Sequence, residues 1–339
     1  MPGPPAPGPI LYTRDQVIRY ILRRLLWAIV LFLAVTIVTY VIFYLIPVDP
    51  ARLAAGRNPT PQEVKNVAHY LGTDKPVWYQ YGLFLKRLVI DHSLGYSFAN
   101  RQSVNSTIFA AAPVTISLVL GGAILWMAIA LPVGVYSALH PRSRLDRFAM
   151  ASVLVGISAH PVWIGLMLSY IFGFRLELFP IQGYCNLKGS IAGQSCGGPA
   201  DWFYHMILPW TAFAILYAAF YVRMIRANVM ETLNEDYVRT ARAKGAPEQR
   251  VMVQHVMRNA MLPVVTMLGM DIAIALGGAV LIESVFGLPG LGKLTITGIS
   301  TFDLPIITGT VVFASVMVIT FNLLVDILYA WIDPRIRLA

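Results

Sequence analysis

The chain is predicted to be an all-α polytopic membrane protein with six transmembrane helices and with N- and C-termini cytoplasmic. Three observations carry that prediction. Of its 339 residues, 57% are hydrophobic and only 13% are charged, against about 25% charged in a soluble domain. Five stretches, Leu25–Val48, Gln102–Pro141, Phe148–Phe174, Trp202–Val222 and Leu304–Val325, hold no Asp, Glu, Lys or Arg. A sixth, Leu262–Ile282, is interrupted only by Asp271. Each is long enough to cross the hydrocarbon core, which takes roughly 20 apolar residues as a helix. In lipid the backbone must satisfy its own hydrogen bonds, so the spans are helices. Finally, basic residues gather in alternate connections, which orients the bundle.

Taken in order, the chain opens with "MPGPPAPGPI". This Pro/Gly-rich start is assigned as disordered over residues 1–17, and residues 18–339 as one membrane domain. Arg14, Arg19, Arg23 and Arg24 precede the first span. Its apolar run, about 22 residues, is too long for the core of a cleaved signal peptide, so it is read as retained. Residues 47–113 form an extracytoplasmic segment carrying Trp78, Tyr79, Tyr81 and Phe84. Short helices lying against the membrane are expected there. Arg142, Arg144 and Arg147 follow the second span. Pro161 is expected to kink the third. Cys185 and Cys196, the only cysteines, share the Gly-rich loop between spans three and four. In an outer compartment they are read as a disulfide, the alternative being two free thiols. Closing so short a loop contributes about 2–3 kcal/mol to its order.

After span four comes a cytoplasmic segment, 226–260, and the stretch from Arg223 to Arg258 holds seven Lys and Arg. Arg335 and Arg337 end the chain, whereas the short loops of the opposite side carry only Arg175, Lys188 and Lys293. The segment "YVRTARAKGAPEQRVMVQHVMRN" is a long charged stretch between two of the most apolar ones. Asn228 to Lys244 reads as a helix, with Leu233, Tyr237 and Ala241 in one apolar stripe and Glu235 paired with Arg239. Gly245 ends it, and Pro247 suits the first turn of a second helix reaching about Asn259. A passive connection needs about 4–6 residues. A helix, a glycine hinge and a second helix instead suit docking into a groove of another protein.

Other chemistries are excluded. The formal net charge of +9 does not point to nucleic acid, because the basic residues lie between apolar runs and form no block. "GLPGLGKLT", Gly287–Thr295, nearly spells a phosphate-binding loop, but Leu294 stands where Ser or Thr must reach magnesium. "GISAH", Gly156–His160, places Ser158 and His160 two residues apart, on different faces of a helix. A nucleophile and its base must touch. No spacing in the sequence suggests a metal site. The chain is therefore read as no enzyme, with no metal.

The same charged stretch, "YVRTARAKGAPEQRVMVQHVMRNAMLPVV", resembles the cytoplasmic signature loop of permease subunits of bacterial ABC importers. It is most similar to the first-permease type of the dipeptide/oligopeptide (and nickel) branch. The general importer pattern runs Glu-Ala-Ala, three residues, Gly. Here Arg239-Thr240-Ala241 occupy those places before Gly245, and the gap to Pro263 is longer. Both departures look like the peptide branch. "LGTDKPVWYQYGLFLKRLVIDHSLGYSF", "GGAVLIESVFGLPGLGKL", "DLPIITG" and "AWIDPRIR" resemble further segments of that family, from about Ile18 to the C-terminus.

The resemblance implies a type I ABC importer permease in a bacterial inner membrane. Its implied partners are a second permease chain forming a heterodimer, two ATP-binding subunits and an extracytoplasmic substrate-binding protein, with lipid around and no nucleic acid. ATP and magnesium would be bound by the partner ATPases, and no cofactor by this chain. The coupling helix would be Arg239, Thr240, Ala241, Arg242, Ala243, Lys244, Gly245 and Ala246, with Arg242 and Lys244 meeting acceptors on an ATPase. The cargo implied is dipeptides or oligopeptides, with nickel or another small solute as the alternative.

Three acids remain. Asp271 lies near mid-span, where ionisable groups are costly and face protein or water. It is expected to line the pathway, to pair across the permease interface, or to bond a neighbouring helix. Glu283 and Asp303, near the outer ends of spans five and six, are expected to be wet, or to meet a substrate's amino group or the binding protein. A proton-coupled secondary peptide carrier is the rival reading. It would need buried ionisable groups for coupling, and only Asp271 qualifies.

Overall fold

The computed structural model describes residues 14–45, 49, 51–52, 55, 58–72, 75–97, 100–187, 196–277 and 279–332. Residues 1–13, most of the start assigned as disordered, lie outside these, as does the end of the "AWIDPRIR" segment. Helix α1 spans Arg14–Tyr40 and closes in a π turn, Val41–Leu45. It thus begins inside the stretch 1–17 assigned as disordered. The physical reason is that Pro9 is the last helix breaker, and Arg14-Asp15-Gln16 oppose no helix.

Helix α2 (Pro61–Leu71) opens with a capping box between Thr60 and Glu63 and stops at Gly72, whose φ is 75°. Helix α3 spans Val77–Val89. A small hairpin pairs β1 (Tyr96–Ser97) antiparallel with β2 (Gln102–Ser103), Tyr96 opposite Ser103. Helix α4 follows at once, Val104–Leu139, with Pro113 and Pro132 inside it. Residues 104–113, assigned above to the outer segment, are therefore its first turns.

Helix α5 (Arg144–Ser158) and helix α6 (Pro161–Leu168, continued by the π turn Ser169–Arg175) stand where one span was expected. The kink at Pro161 is a full break. Proline disfavours helical backbone at the residue before it, and His160 takes an extended conformation, its Nδ1 accepting from the Val162 N–H at 3.3 Å. Helix α7 is long, Pro199–Leu233, and helix α8 is Asp236–Ala243. A short α9 (Glu248–Arg250) runs through the π turn Val251–Met257 into α10 (Arg258–Gly277). Helices α11 (Val280–Val285), α12 (Leu291–Thr301) and α13 (Leu304–Ile332) are the last elements among the described residues.

Among the described residues, five helical runs are long and apolar enough to cross a membrane: Leu22–Phe43, Val104–Leu139, Pro199–Leu233, Glu248–Leu276 and Leu304–Val325. Their core is the α4–α7 pair. Trp126 of α4 is fully buried and stacks on Tyr217 of α7 with ring centroids 4.5 Å apart. Glycines bring the two helices together, as packing in lipid requires. A Cβ on Gly121 would stand 2.2 Å from the Trp210 indole, and one on Gly122 would stand 3.0 Å from Phe213. The Trp210 Nε1–H donates to the Ser117 carbonyl of α4 at 2.9 Å. Helix α1 instead turns Leu22, Trp27 and Ile29 outward, as a lipid-facing helix does.

Candidate coupling loop and buried carboxylates

The charged unit is built around Val238, Val251 and Val256, all fully buried. It differs from the single helix Asn228–Lys244 read in the sequence. Helix α7 runs to Leu233, the chain breaks at Asn234 and Glu235, and α8 restarts at Asp236. Asn234, Glu235 and Asp236 favour this: Glu235 is extended as the cap residue, and Asp236 adds negative charge at the helix start. Two local expectations change with the break. Val238 is the buried anchor, whereas Tyr237 is exposed and accepts from the Asn259 Nδ2 amide at 2.8 Å. Arg239 meets Asp236 at 3.8 Å rather than Glu235.

Gly245 ends α8 with φ 78°, its N–H donating to the Arg242 carbonyl at 2.9 Å, while the Ala246 N–H reaches back to Ala241 at 3.2 Å. Only glycine adopts that backbone freely. Across the hinge, Arg242 grips Glu248 with two bonds, Nη2 to Oε1 at 2.6 Å and Nε to Oε2 at 3.1 Å. Ala241 and Ala246 pack onto the core. Thr240, Ala243 and Lys244 are exposed. The second helix does not stop at Asn259 but continues as one helical run to Gly277.

Glu283 and Asp303 are not wet. Both are fully buried. The Glu283 carboxylate accepts from the Thr115 hydroxyl at 2.6 Å and from the Lys293 N–H at 3.0 Å. Thr115 in turn accepts from the Leu291 N–H at 2.8 Å. The stretch that nearly spells a phosphate-binding loop does present free amides at the start of α12, and the chain's own Glu283 fills them. Asp303 accepts from the Ser97 hydroxyl, from Asn100 Nδ2 at 3.5 Å and from the Ile306 N–H at 3.4 Å. It ties the β1–β2 hairpin to the start of α13. Both acids cap helix starts within the chain, Glu283 at α12 and Asp303 at α13. Asp303 carries a signal in the sequence, an acid directly before a helix start, whereas Glu283 lies within α11 and reaches α12 only through the fold.

Asp271 of α10 is half-buried and accepts from the Tyr221 hydroxyl of α7 at 2.6 Å. The neighbouring-helix reading is thus realised on one of its oxygens. Ser158 and His160 do not meet as a dyad: Ser158 donates to Leu154, and His160 caps α6. Cys185 and Cys196 are joined, with Cα atoms 5.6 Å apart.

One pair went unnoticed in the sequence. Asp146 is 4% exposed and binds Arg226 of α7, Nε to Oδ1 at 2.7 Å and Nη2 to Oδ2 at 3.1 Å. It also accepts from the Arg142 N–H at 2.8 Å. The Arg226 guanidinium holds its carboxyl below the usual carboxylate range, ahead of the opposing effect of burial. A lone acid within the basic turn Arg142–Arg147 was the available clue.

Comparison with known proteins follows these features closely. Residues 130–338 match the family described as the binding-protein-dependent transport system inner membrane component, and residues 17–119 match the N-terminal region of such membrane components. The chain is 36% identical over 94% of its length to a putative peptide transport system permease protein of Brucella abortus, covering 98% of that protein. It is equally 36% identical, over 94% of itself and 99% of the relative, to the dipeptide transport system permease protein DppB of Escherichia coli. A crystal structure of an amino acid ABC transporter with histidines shares the fold, with a TM-score of 0.50 and 16% identity over 67% of this chain and 94% of that one. The charged hinge, the long apolar helices and these matches together place the chain in the family of inner membrane components of binding-protein-dependent transport systems.

Proposed function

We propose that this chain is one of two different permeases enclosing the pathway of an ATP-driven importer for dipeptides or oligopeptides. The observation that carries the reading is the ordered unit α8–Gly245–α9, which presents Arg239–Ala246 at one end of the bundle with a fixed turn. By this reading the unit docks on one of two ATPase subunits, which bind ATP and magnesium themselves. ATP-driven closure pushes on it, and the bundle switches between two discrete arrangements. Lys244 is exposed and open to a partner. Arg242 would have to keep or exchange Glu248. An extracytoplasmic binding protein delivers the cargo. Helices α5 and α6 together make the sixth crossing, and both termini face the cytoplasm, as the Lys and Arg distribution favours. Asp271, with one oxygen held by Tyr221, faces the pathway or the second permease.

The peptide cargo is supported by the relatives' names. Nickel chelates or another small solute are the alternative cargo. The test is co-purification from the native host in mild detergent. Recovery of a second permease and ATP-binding chains in fixed proportion supports the proposal. A chain recovered alone or as a homodimer at every detergent strength overturns it and favours a secondary carrier.

A further inference from the structure

We propose that Cys185, Cys196 and His205 form a redox-gated site for a soft divalent metal ion, closed as a disulfide and opened by a dithiol reductant. One atom from each residue lies within 4.8 Å of the other two. His205 stands in the second turn of α7 with its Nδ1 2.8 Å from the Asp201 carbonyl. A carbonyl only accepts, so Nδ1 carries the proton, and the neutral ring keeps its lone pair on Nε2. That Nε2 faces the Cys185 sulfur at 3.5 Å. A backbone carbonyl fixing the ring so that the other nitrogen points at the metal is the usual arrangement around ligating histidines.

The corner is built rather than loose. The Gly197 N–H donates to Asp201 Oδ2 at 3.1 Å and the Gly198 N–H to the Asn186 carbonyl at 2.9 Å, fastening both cysteine flanks to the start of α7. Donor atoms around a tetrahedral zinc ion lie roughly 3.3–3.8 Å apart, given bonds of about 2.0–2.3 Å. The distance from Nε2 to the Cys185 sulfur already meets this, and once the disulfide opens the Cys196 sulfur, within 4.8 Å of Nε2, moves off Cys185 to its own place.

The thiolate, not the disulfide, is the metal ligand, so oxidation closes the site. Cys185 is fully buried and Cys196 half-buried, so a reductant reaches Cys196 first. A thiolate of the dithiol attacks the Cys196 sulfur and bonds to it. The Cys185–Cys196 bond breaks, and its electron pair stays on Cys185. The second thiolate of the dithiol then displaces Cys196, leaving the reductant as a cyclic disulfide and two electrons on the protein. A divalent ion binds both sulfurs as thiolates with release of their protons. His205 Nε2 adds its lone pair, and water takes the fourth position. Two thiolates neutralise the ion, which suits a half-buried corner. On the sidedness proposed above, the corner faces the outer compartment, where the disulfide is the resting form.

Cadmium is the probe, read by the ultraviolet absorbance of its thiolate bonds in untagged chain with or without prior reduction by a phosphine. Reduced protein is expected to bind one equivalent, and oxidised protein no more than Cys185→Ser/Cys196→Ser. His205→Ala should weaken binding about tenfold or more. Each variant must elute as the wild type does, with Cys196→Ser alone used if the double variant does not fold. Reduced wild type that binds no more cadmium than the serine variant overturns the site. So does His205→Ala that binds as tightly as wild type.

Discussion

At Glu283 a carboxylate sits fully inside an apolar bundle and is held by Thr115 and by the first amides of α12. Glu283→Ala leaves those donors without their acceptor, so it should destabilise by about 2–4 kcal/mol, a charge-assisted bond and a cap being lost together. The midpoint of thermal denaturation in detergent measures this, and a midpoint within a degree or so of wild type would refute the capping role. Asp146 makes a different kind of contribution. Its carboxyl is held below the usual range by Arg226, so the folded chain binds that proton more weakly than the unfolded one. The stability it adds is present above the ordinary aspartate pKa of about 3.9 and fades as pH falls below it. Wild type should therefore lose stability on acidification, and Asp146→Asn should start about 2–3 kcal/mol lower and lose less. Parallel acid profiles would exclude the pair as the cause. Sequence reading found Glu283 and Asp303 but placed them in water, because local pattern shows that an acid precedes a helix, not which distant hydroxyl comes to meet it. Ser97 and Thr115 are brought there only by the fold. Asp146–Arg226 was hidden for the same reason, its partners lying on different helices.

Elements were more legible than contacts. Charge-free runs located the long helices, since lipid leaves no other way to satisfy the backbone. Gly245 and Pro247 marked the hinge by their own conformational rules. What escaped was the stop at Asn234, where cap preference overrode the apolar stripe, and the complete break at His160. Gly245 itself makes the sharpest element-scale prediction. No atom lies within 4 Å of a Cβ placed there, so Gly245→Ala costs only backbone strain, about 1–2 kcal/mol. Gly245→Pro forbids the φ of 78° and removes the N–H that bonds Arg242. It should insert normally yet uncouple uptake from ATP hydrolysis, as read by transport and ATPase assays on the same vesicles. Wild-type uptake by Gly245→Pro would remove the docking role.

For the molecule as a whole, the membrane class and its family were readable from the charge pattern and from the hinge stretch. The sidedness rests on Lys and Arg counts, and it makes its own prediction. Reporters fused to either terminus should be active only in the cytoplasm, and an acceptor site inserted within 188–195 should be modified only from outside. Termini on opposite faces would mean that α5 and α6 do not cross as a pair.

Helix α7 gives the molecule a lever. It runs unbroken from Pro199 to Leu233, about 50 Å at the helical rise of 1.5 Å per residue. One end lies beside the cysteine corner, and the other stops two residues short of α8. Helix α4 packs along α7 from Gly121 against Trp210 to Gly134 against Ile225, so the two helices tilt as one body. On the docking proposed above, a tilt of about 5° about the centre of the pair moves a tip 25 Å away by about 2 Å, and a push at α8 would reach the far side as an opposite swing.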